Sequence, residues 1–435
     1  MIGSKSIFSI GFPWRETMTL PSRQDLSQGI SRGAVAVLAL SLFITLAAVH
    51  PASAQTETVL YDFTTGDGAV YPAGNLIMDS SGNLYGVSQS DTEGSVFELI
   101  PSSGGMWTLK ILYEFKDLND GIPAYDLVMD SAGNLYGTCL FGGTSYYGTV
   151  YELKHISNGT WRKQVLHNFV NDGIDGNYPG AALIFDKAGN LYGTTQEGGL
   201  KNVGVVFELS PYSGGTGWKE KILYSLPYKD IHYAVSNYPL SIDASGNLYG
   251  VTNIGGVNDA GYVFKLTPAK TGPWTFSTLY SFQAVLSGPP ADPDSGVVFD
   301  SAGNLYGATI LGGAEGSGTV YQLSPSADGT WREHDLFDFP SSCSPACGPH
   351  IAVTVDAAGN IFGTASSSGS QGAVYELSPD GNGTWNLSIL HDFNGGDDGA
   401  DPSVGSLLDV SGNLYGTTRS GGGSKGRGVV YEIAP

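Results

Sequence analysis

The chain has 435 residues, 63 of them Gly, only 14% charged, and carries a formal net charge of −21. Aromatic residues at 11% and no collagen period argue for a packed core and against disorder. The acidic balance argues against a nucleic-acid backbone or an anionic lipid surface as partner, since both need clustered Lys and Arg.

The chain opens with the pattern of an export signal. Arg23 and Arg32 precede a 16-residue apolar run from Ala34 to Val49, and Ala52-Ser53-Ala54 is a small-x-small cleavage site. The run falls short of the ~20 residues that span a bilayer. Residues 1–54 are therefore read as a leader cleaved after Ala54, with Met18 as an alternative start. The expected product is secreted, periplasmic or displayed at the cell surface, without membrane insertion. The final YEIAP shows neither an apolar nor a basic tail.

Beyond the leader one stretch recurs. Asp-x-x-Gly-Asn-Leu-Tyr-Gly begins at Asp79, Asp130, Asp186, Asp243, Asp300 and Asp409, and reads GNIFG in the copy at Asp356. Successive cores lie 51, 56, 57, 57, 56 and 53 residues apart, a propeller-blade period that is too turn-rich for helical repeats. Within each period four short strands are predicted. The first runs into the motif aspartate, as in Pro179 to Asp186. The motif itself is a hairpin turn, because Asp bonds nearby amides while Gly and Asn tolerate positive φ. Leu-Tyr-Gly forms the second strand and Gly-x-Val-Phe/Tyr-x-Leu the third.

The fourth strand starts at a tryptophan. In WTLKILYEF, alternation puts Trp107, Leu109, Ile111, Tyr113 and Phe115 on one face, and Thr108, Lys110, Leu112 and Glu114 on a mostly polar one. A Leu follows five residues after each of Trp107, Trp161, Trp218, Trp274, Trp331 and Trp385. This half-polar strand is expected at the outer edge of the blade, and the first strand at the inner edge. Only six such strands follow their repeat. Val59 to Phe63 has the same ending and stands before the first repeat, so it is expected to complete the last blade. The predicted fold is an all-β, seven-bladed propeller over 55–435, four antiparallel strands per blade, closed by the N-terminal strand.

The combined motif, best seen from Asp186 to Leu209, resembles the GloVer tandem repeat of exported bacterial proteins. The resemblance covers about residues 59 to 433. It implies export and a repeat array; the family has no established activity. Its members often carry a C-terminal sorting anchor, which the final YEIAP is not expected to provide. The D-x-x-G-N-L-Y segment alone is more weakly similar to NHL-type and gluconolactonase-type propellers, which supports the fold and assigns no reaction.

Candidate sites lie where the repeats differ. The motif aspartates are read as turn residues, because sevenfold repetition is what a structural role predicts. The loops NDGIDGN and GGDDGAD cluster acids and amides among glycines. Asp172, Asp175, Asn177, Asp397, Asp398 and Asp401 are thus candidate Ca²⁺ ligands, although neither loop has EF-hand spacing. His232, Tyr233 and His350 stand in irregular loops and are candidate binding residues. His167 and His391 replace the outer-strand tyrosine and are read as packing or surface residues. Cys343 and Cys347 are close enough in sequence to form a disulfide, and Cys139 is read as core. No nucleophile elbow, phosphate-binding loop or zinc-protease motif is present. The expectation is a monomeric binding module for an extracellular glycan or protein. A hydrolase or lactonase at the channel mouth, or a structural component of the cell envelope, stands as the alternative.

Overall fold

Each blade contains one motif hairpin, and the hydrogen bonds show why the motif has these residues. Asp79 Oδ1 accepts the amides of Ser81 (2.8 Å) and Asn83 (3.0 Å), while Oδ2 accepts the Asn83 side-chain amide (2.8 Å) and the Tyr85 hydroxyl (3.1 Å). The turn residue Gly82 has φ of 82°, where a Cβ would be strained. The same carboxylate–asparagine pattern recurs at Asp130, Asp186, Asp243, Asp300, Asp356 and Asp409. The motif's second glycine serves packing. A Cβ at Gly86 would stand 2.5 Å from Phe97 Cζ and 2.9 Å from Leu76 Cδ2.

The computed structural model describes residues 55–435 except 91–92, 125, 157–158, 215–216, 228–237, 284–287, 343–345, 367–370 and 424–425. It is an all-β, seven-bladed propeller. In blade 1, Pro72–Met78, Leu84–Gln89, Gly94–Pro101 and Trp107–Phe115 pair in that order, antiparallel throughout. Blades 2 to 6 repeat this order, and their outer strands are Trp161–Asn168, Trp218–Ser225, Thr275–Ser281, Trp331–Asp338 and Trp385–Asp392. Inner strands shrink to two residues in blades 3 and 4, at Ile184–Phe185 and Ser241–Ile242.

Blade 7 is composite. Ala400–Leu408, Leu414–Ser420 and Val429–Ala434 are joined at the outer edge by Thr56–Asp62, which runs antiparallel with Thr56 opposite Ala434 and Asp62 opposite Val429. Leu60 and Phe63 are buried in one cluster with Leu84, Phe97 and Tyr415, so this strand also packs against blade 1. Thr417 Oγ1 donates to the carbonyl of Gly74 across the same junction.

Alternation along the outer strand fails at one point. In blade 1 Val96 pairs with Tyr113 and Phe97 with Ile111, which leaves Leu112 unpaired in a β-bulge. Leu112, assigned by alternation to the polar face, is instead buried. The register skips the corresponding Leu60, Leu166, Leu223, Leu279, Leu336 and Leu390 in the other blades. The leucine five residues after each tryptophan is the bulge residue, turned into the interior by the extra step.

Blades pack through aromatic contacts. The Tyr136 ring meets Phe185 and Trp218 of the next blade edge-on, and Tyr249 meets Phe299 and Trp331 in the same way. Cys139 is buried and unbonded, as packing requires. Cys343 lies outside the described residues, so the pairing expected with Cys347 does too. Among the described residues no helix is long and apolar enough to cross a membrane.

Candidate functional site

The repeated carboxylates are fully engaged. Burial pushes Asp79 up, but hydrogen bonds from Asn83, Ser81 and Tyr85 outweigh it and hold the carboxyl below its ordinary value. Asp186, Asp243 and Asp300 behave alike. A carboxylate with four donors has little left to offer a substrate.

At the inner edge the chain comes close to itself. A Cβ on Gly405 would lie 2.9 Å from Ala352 Cβ, and one on Gly296 would lie 2.9 Å from the Pro239 carbonyl. Asp126 stands here, with Oδ1 accepting the Asn75 amide of blade 1 at 2.6 Å. Desolvation pushes its carboxyl up to about 6 against that hydrogen bond. Asp126 is still partly exposed, and solvent on that face limits the push. Between blades 4 and 5, Tyr238 donates to Asp294 Oδ1 at 2.6 Å. His232 and Tyr233 lie outside the described residues. The His350 backbone pairs with Thr364, and its side chain is likewise outside the description.

The chemistry that differs between blades collects at the outer seams. At each seam, the residue six positions after an outer-strand tryptophan approaches the residue two positions after the next blade's tryptophan. Seam 1 joins Tyr113 and Lys163 around Asp120: Tyr113 donates at 3.0 Å and Lys163 Nζ lies 2.9 Å from Asp120 Oδ1. The ammonium also sits 4.5 Å above the Phe115 ring. At seam 3, Tyr224 and Phe276 stack at 4.6 Å. Tyr280 donates to Glu333 at 3.4 Å across seam 4, while Phe337 and Leu387 of seam 5 pack on one apolar cluster.

Seams 2 and 6 gather acids around a histidine. At seam 2, His167 Nε2 lies 3.2 Å from Asp175 Oδ2 and 3.5 Å from Glu220 Oε1. The Asp175 side chain is only 6% exposed. Its Oδ2 accepts the Val170 amide (2.9 Å) and Oδ1 its neighbour Gly176's (2.7 Å). Desolvation, then the adjacent Asp175, push the Glu220 carboxyl well above the usual carboxylate range. At seam 6, His391 Nε2 lies 3.2 Å from Asp398 Oδ2. Glu57 of the closing strand faces this pair across an open groove also lined by Asp62, Asn394 and Asp397. Burial and then Asp397 raise Asp62 above its ordinary value; burial raises Glu57, with Asp398 adding to it and His391 opposing it.

The six acid and amide candidates therefore part company. Asp175 and Asp398 each meet a histidine. Asp172 caps its own turn, its Oδ1 accepting the amides of Ile174 and Asp175, each at 2.9 Å. Asn177 is fully buried and its backbone pairs with Glu197. Asp397 is exposed on the groove. Asp401 has φ of 57° and donates its amide to Gln371 at 2.8 Å, a backbone role. His167, His391, Glu220 and Glu57 were not among the candidates. Their signal was a column comparison: His at the sixth position after Trp, paired with Glu at the second position of the following repeat.

The Gloeobacter/Verrucomicrobia repeat matches residues 45–207, 90–285 and 184–346 of the chain. A comparison with curated proteins found no match. Among solved structures the chain is similar to the virginiamycin B lyase of Staphylococcus aureus, at 12% identity and a TM-score of 0.53, over 88% of this chain and 99% of that one. A gluconolactonase of Xanthomonas campestris aligns at 14% identity and a TM-score of 0.40, over 87% and 89% of the two chains. At such identities the first likeness shows the fold alone, and the second carries no argument.

Proposed function

The chain belongs to the Gloeobacter/Verrucomicrobia repeat family, and from that premise we propose that it is an exported binding module. Its ligand is an extracellular protein or glycan, held at the rim of the propeller by a monomeric chain. One observation carries the reading: the recurrent carboxylates are spent on turns, whereas the polar groups that differ between blades gather at the outer seams, one of which opens as a groove. The open groove of Glu57, Asp62, Asp397 and Asp398 is the strongest such surface, and its charge suits a basic protein segment or a glycan bearing amino groups. Rigid blades presenting variable loops are a common design for recognition. The leader, with cleavage after Ala54, supports export.

The test is binding of the mature chain to glycan and extracellular-protein arrays, repeated with Asp62→Asn and Asp397→Asn together. Binding that falls in the double variant, and weakens with salt, is the expected result. No ligand on either array counts against the module. Turnover on a lactone and glycoside panel that Asp126→Asn abolishes would replace it with an enzyme at the inner neck.

A further inference from the structure

The six seams described above bring the same two outer-strand positions to one junction, and comparison among them shows what seam 2 lacks. At seam 1 the loop acid Asp120 meets a cation supplied by the chain, the Lys163 ammonium. Glu220 occupies the Lys163 position at seam 2. There the loop acid Asp175 meets a second carboxylate, with only an imidazole beside it. Two carboxylates brought together out of water repel one another unless a proton or a cation lies between them.

We propose that the seam between blades 2 and 3 is a divalent-metal site, with His167 Nε2, an Asp175 carboxylate oxygen and a Glu220 carboxylate oxygen as its ligands. These are the one such group among the described residues whose ligand atoms all lie within 4.8 Å of one another. Glu220 Oε1 is buried and accepts no hydrogen bond from the described residues. Neither end of the fully buried Asn177 amide, two residues past Asp175, has a hydrogen-bond partner among the described residues. The ligands are held in place before any ion arrives: Val170 and Gly176 amides fix Asp175, and the Phe169 ring meets His167 edge-on at 4.6 Å. Partial exposure of His167 (19%) and Glu220 (17%) leaves an entry path.

The donor set selects the ion. One imidazole nitrogen with two carboxylates suits Zn²⁺ or a similar transition ion, with solvent completing the shell, better than the all-oxygen shell of Ca²⁺. Seam 6 carries the same His–Asp pair, but its Glu57 stands off across the open groove, so its affinity is expected to be lower. Its three ligands share no residue with the groove of Glu57, Asp62 and Asp397.

Zn²⁺ is titrated into the chelator-stripped mature chain by calorimetry, beside His167→Tyr, Glu220→Gln and His391→Tyr. Tyrosine is what blades 1, 3, 4 and 7 carry at the histidine position, so the fold tolerates it. One tight equivalent is expected. It should weaken by at least about 100-fold in His167→Tyr and Glu220→Gln and persist in His391→Tyr. In the unmutated chain the His167 ring resonances should shift with the first equivalent, a reading that needs no variant to fold. The proposal is overturned by an absence of tight uptake, by equal uptake in His167→Tyr, by ring signals that do not move, or by Ca²⁺ binding in preference to Zn²⁺.

Discussion

The motif hairpins and the outer seams use the same residue types to opposite ends. In the hairpin at Asp243, one carboxylate meets four donors, two from the backbone and two from Asn247 and Tyr249. At seam 2, Glu220 meets Asp175, acceptor against acceptor, beside a histidine. The first arrangement stabilises a turn and can be copied seven times without harm. The second costs stability unless a ligand or proton resolves it, and with a histidine beside both acids it occurs once among the described residues. Repetition marks scaffold, and its breakdown marks chemistry.

That contrast can be pressed at several points. The largest effect is expected at ring closure, where deleting residues 56–63 removes buried Leu60 and Phe63 and exposes the edge of Val429–Ala434. Two such side chains alone are worth on the order of 5 kcal/mol, so denaturant unfolding should start far earlier and lose cooperativity. An unchanged midpoint would show that blade 7 holds without its outer strand. Gly86→Ala comes next. Its methyl group would enter the Phe97 ring, and overpacking of that kind costs about 1–3 kcal/mol; a neutral effect would mean that the hairpin packs more loosely than described.

Smaller effects are expected at the inner neck. The folded chain holds the Asp126 proton more tightly than the unfolded chain does. That contribution is fully present below the ordinary value of 3.8 and is lost as pH rises through about 6. Thermal melts from pH 4 to 7 should therefore fall less steeply in Asp126→Asn than in the parent, and identical slopes would remove Asp126 from the account. The smallest change is Tyr375→Phe. The Tyr375 hydroxyl is buried with no partner among the described residues, and Phe97, Phe207 and Phe264 fill the same place in other blades. A change in stability within about 1 kcal/mol is expected, and a larger loss would reveal a bond to that hydroxyl.

Much of this architecture was legible in residue spacing. Motif count gave the blades, turn chemistry placed the hairpins, and the stray Val59 to Phe63 anticipated the composite blade. The bulge at Leu112 was not legible, because a period of two carries no record of a skipped pairing; only the constancy of that leucine hinted at a special position. The seams were hidden for a different reason. His167 and Glu220 belong to different repeats and meet only once the ring has formed, so reading each strand alone made His167 a packing or surface residue. Asp175 was found because its own loop is acidic. Its partners were missed because they lie on strands that resemble every other outer strand.

The contrast between scaffold and seam rests most directly on the unfolding midpoints of two carboxylate-to-amide variants, measured with a chelator present. Asp243→Asn sets an amide against the donors of Asn247 and Tyr249 and should lose about 2–3 kcal/mol. Glu220→Gln replaces an acid facing an acid by a donor facing an acid, and should gain about 1 kcal/mol. Opposite signs are what the account predicts. Losses of similar size in both would contradict it, because Glu220 would then be as much a part of the scaffold as Asp243.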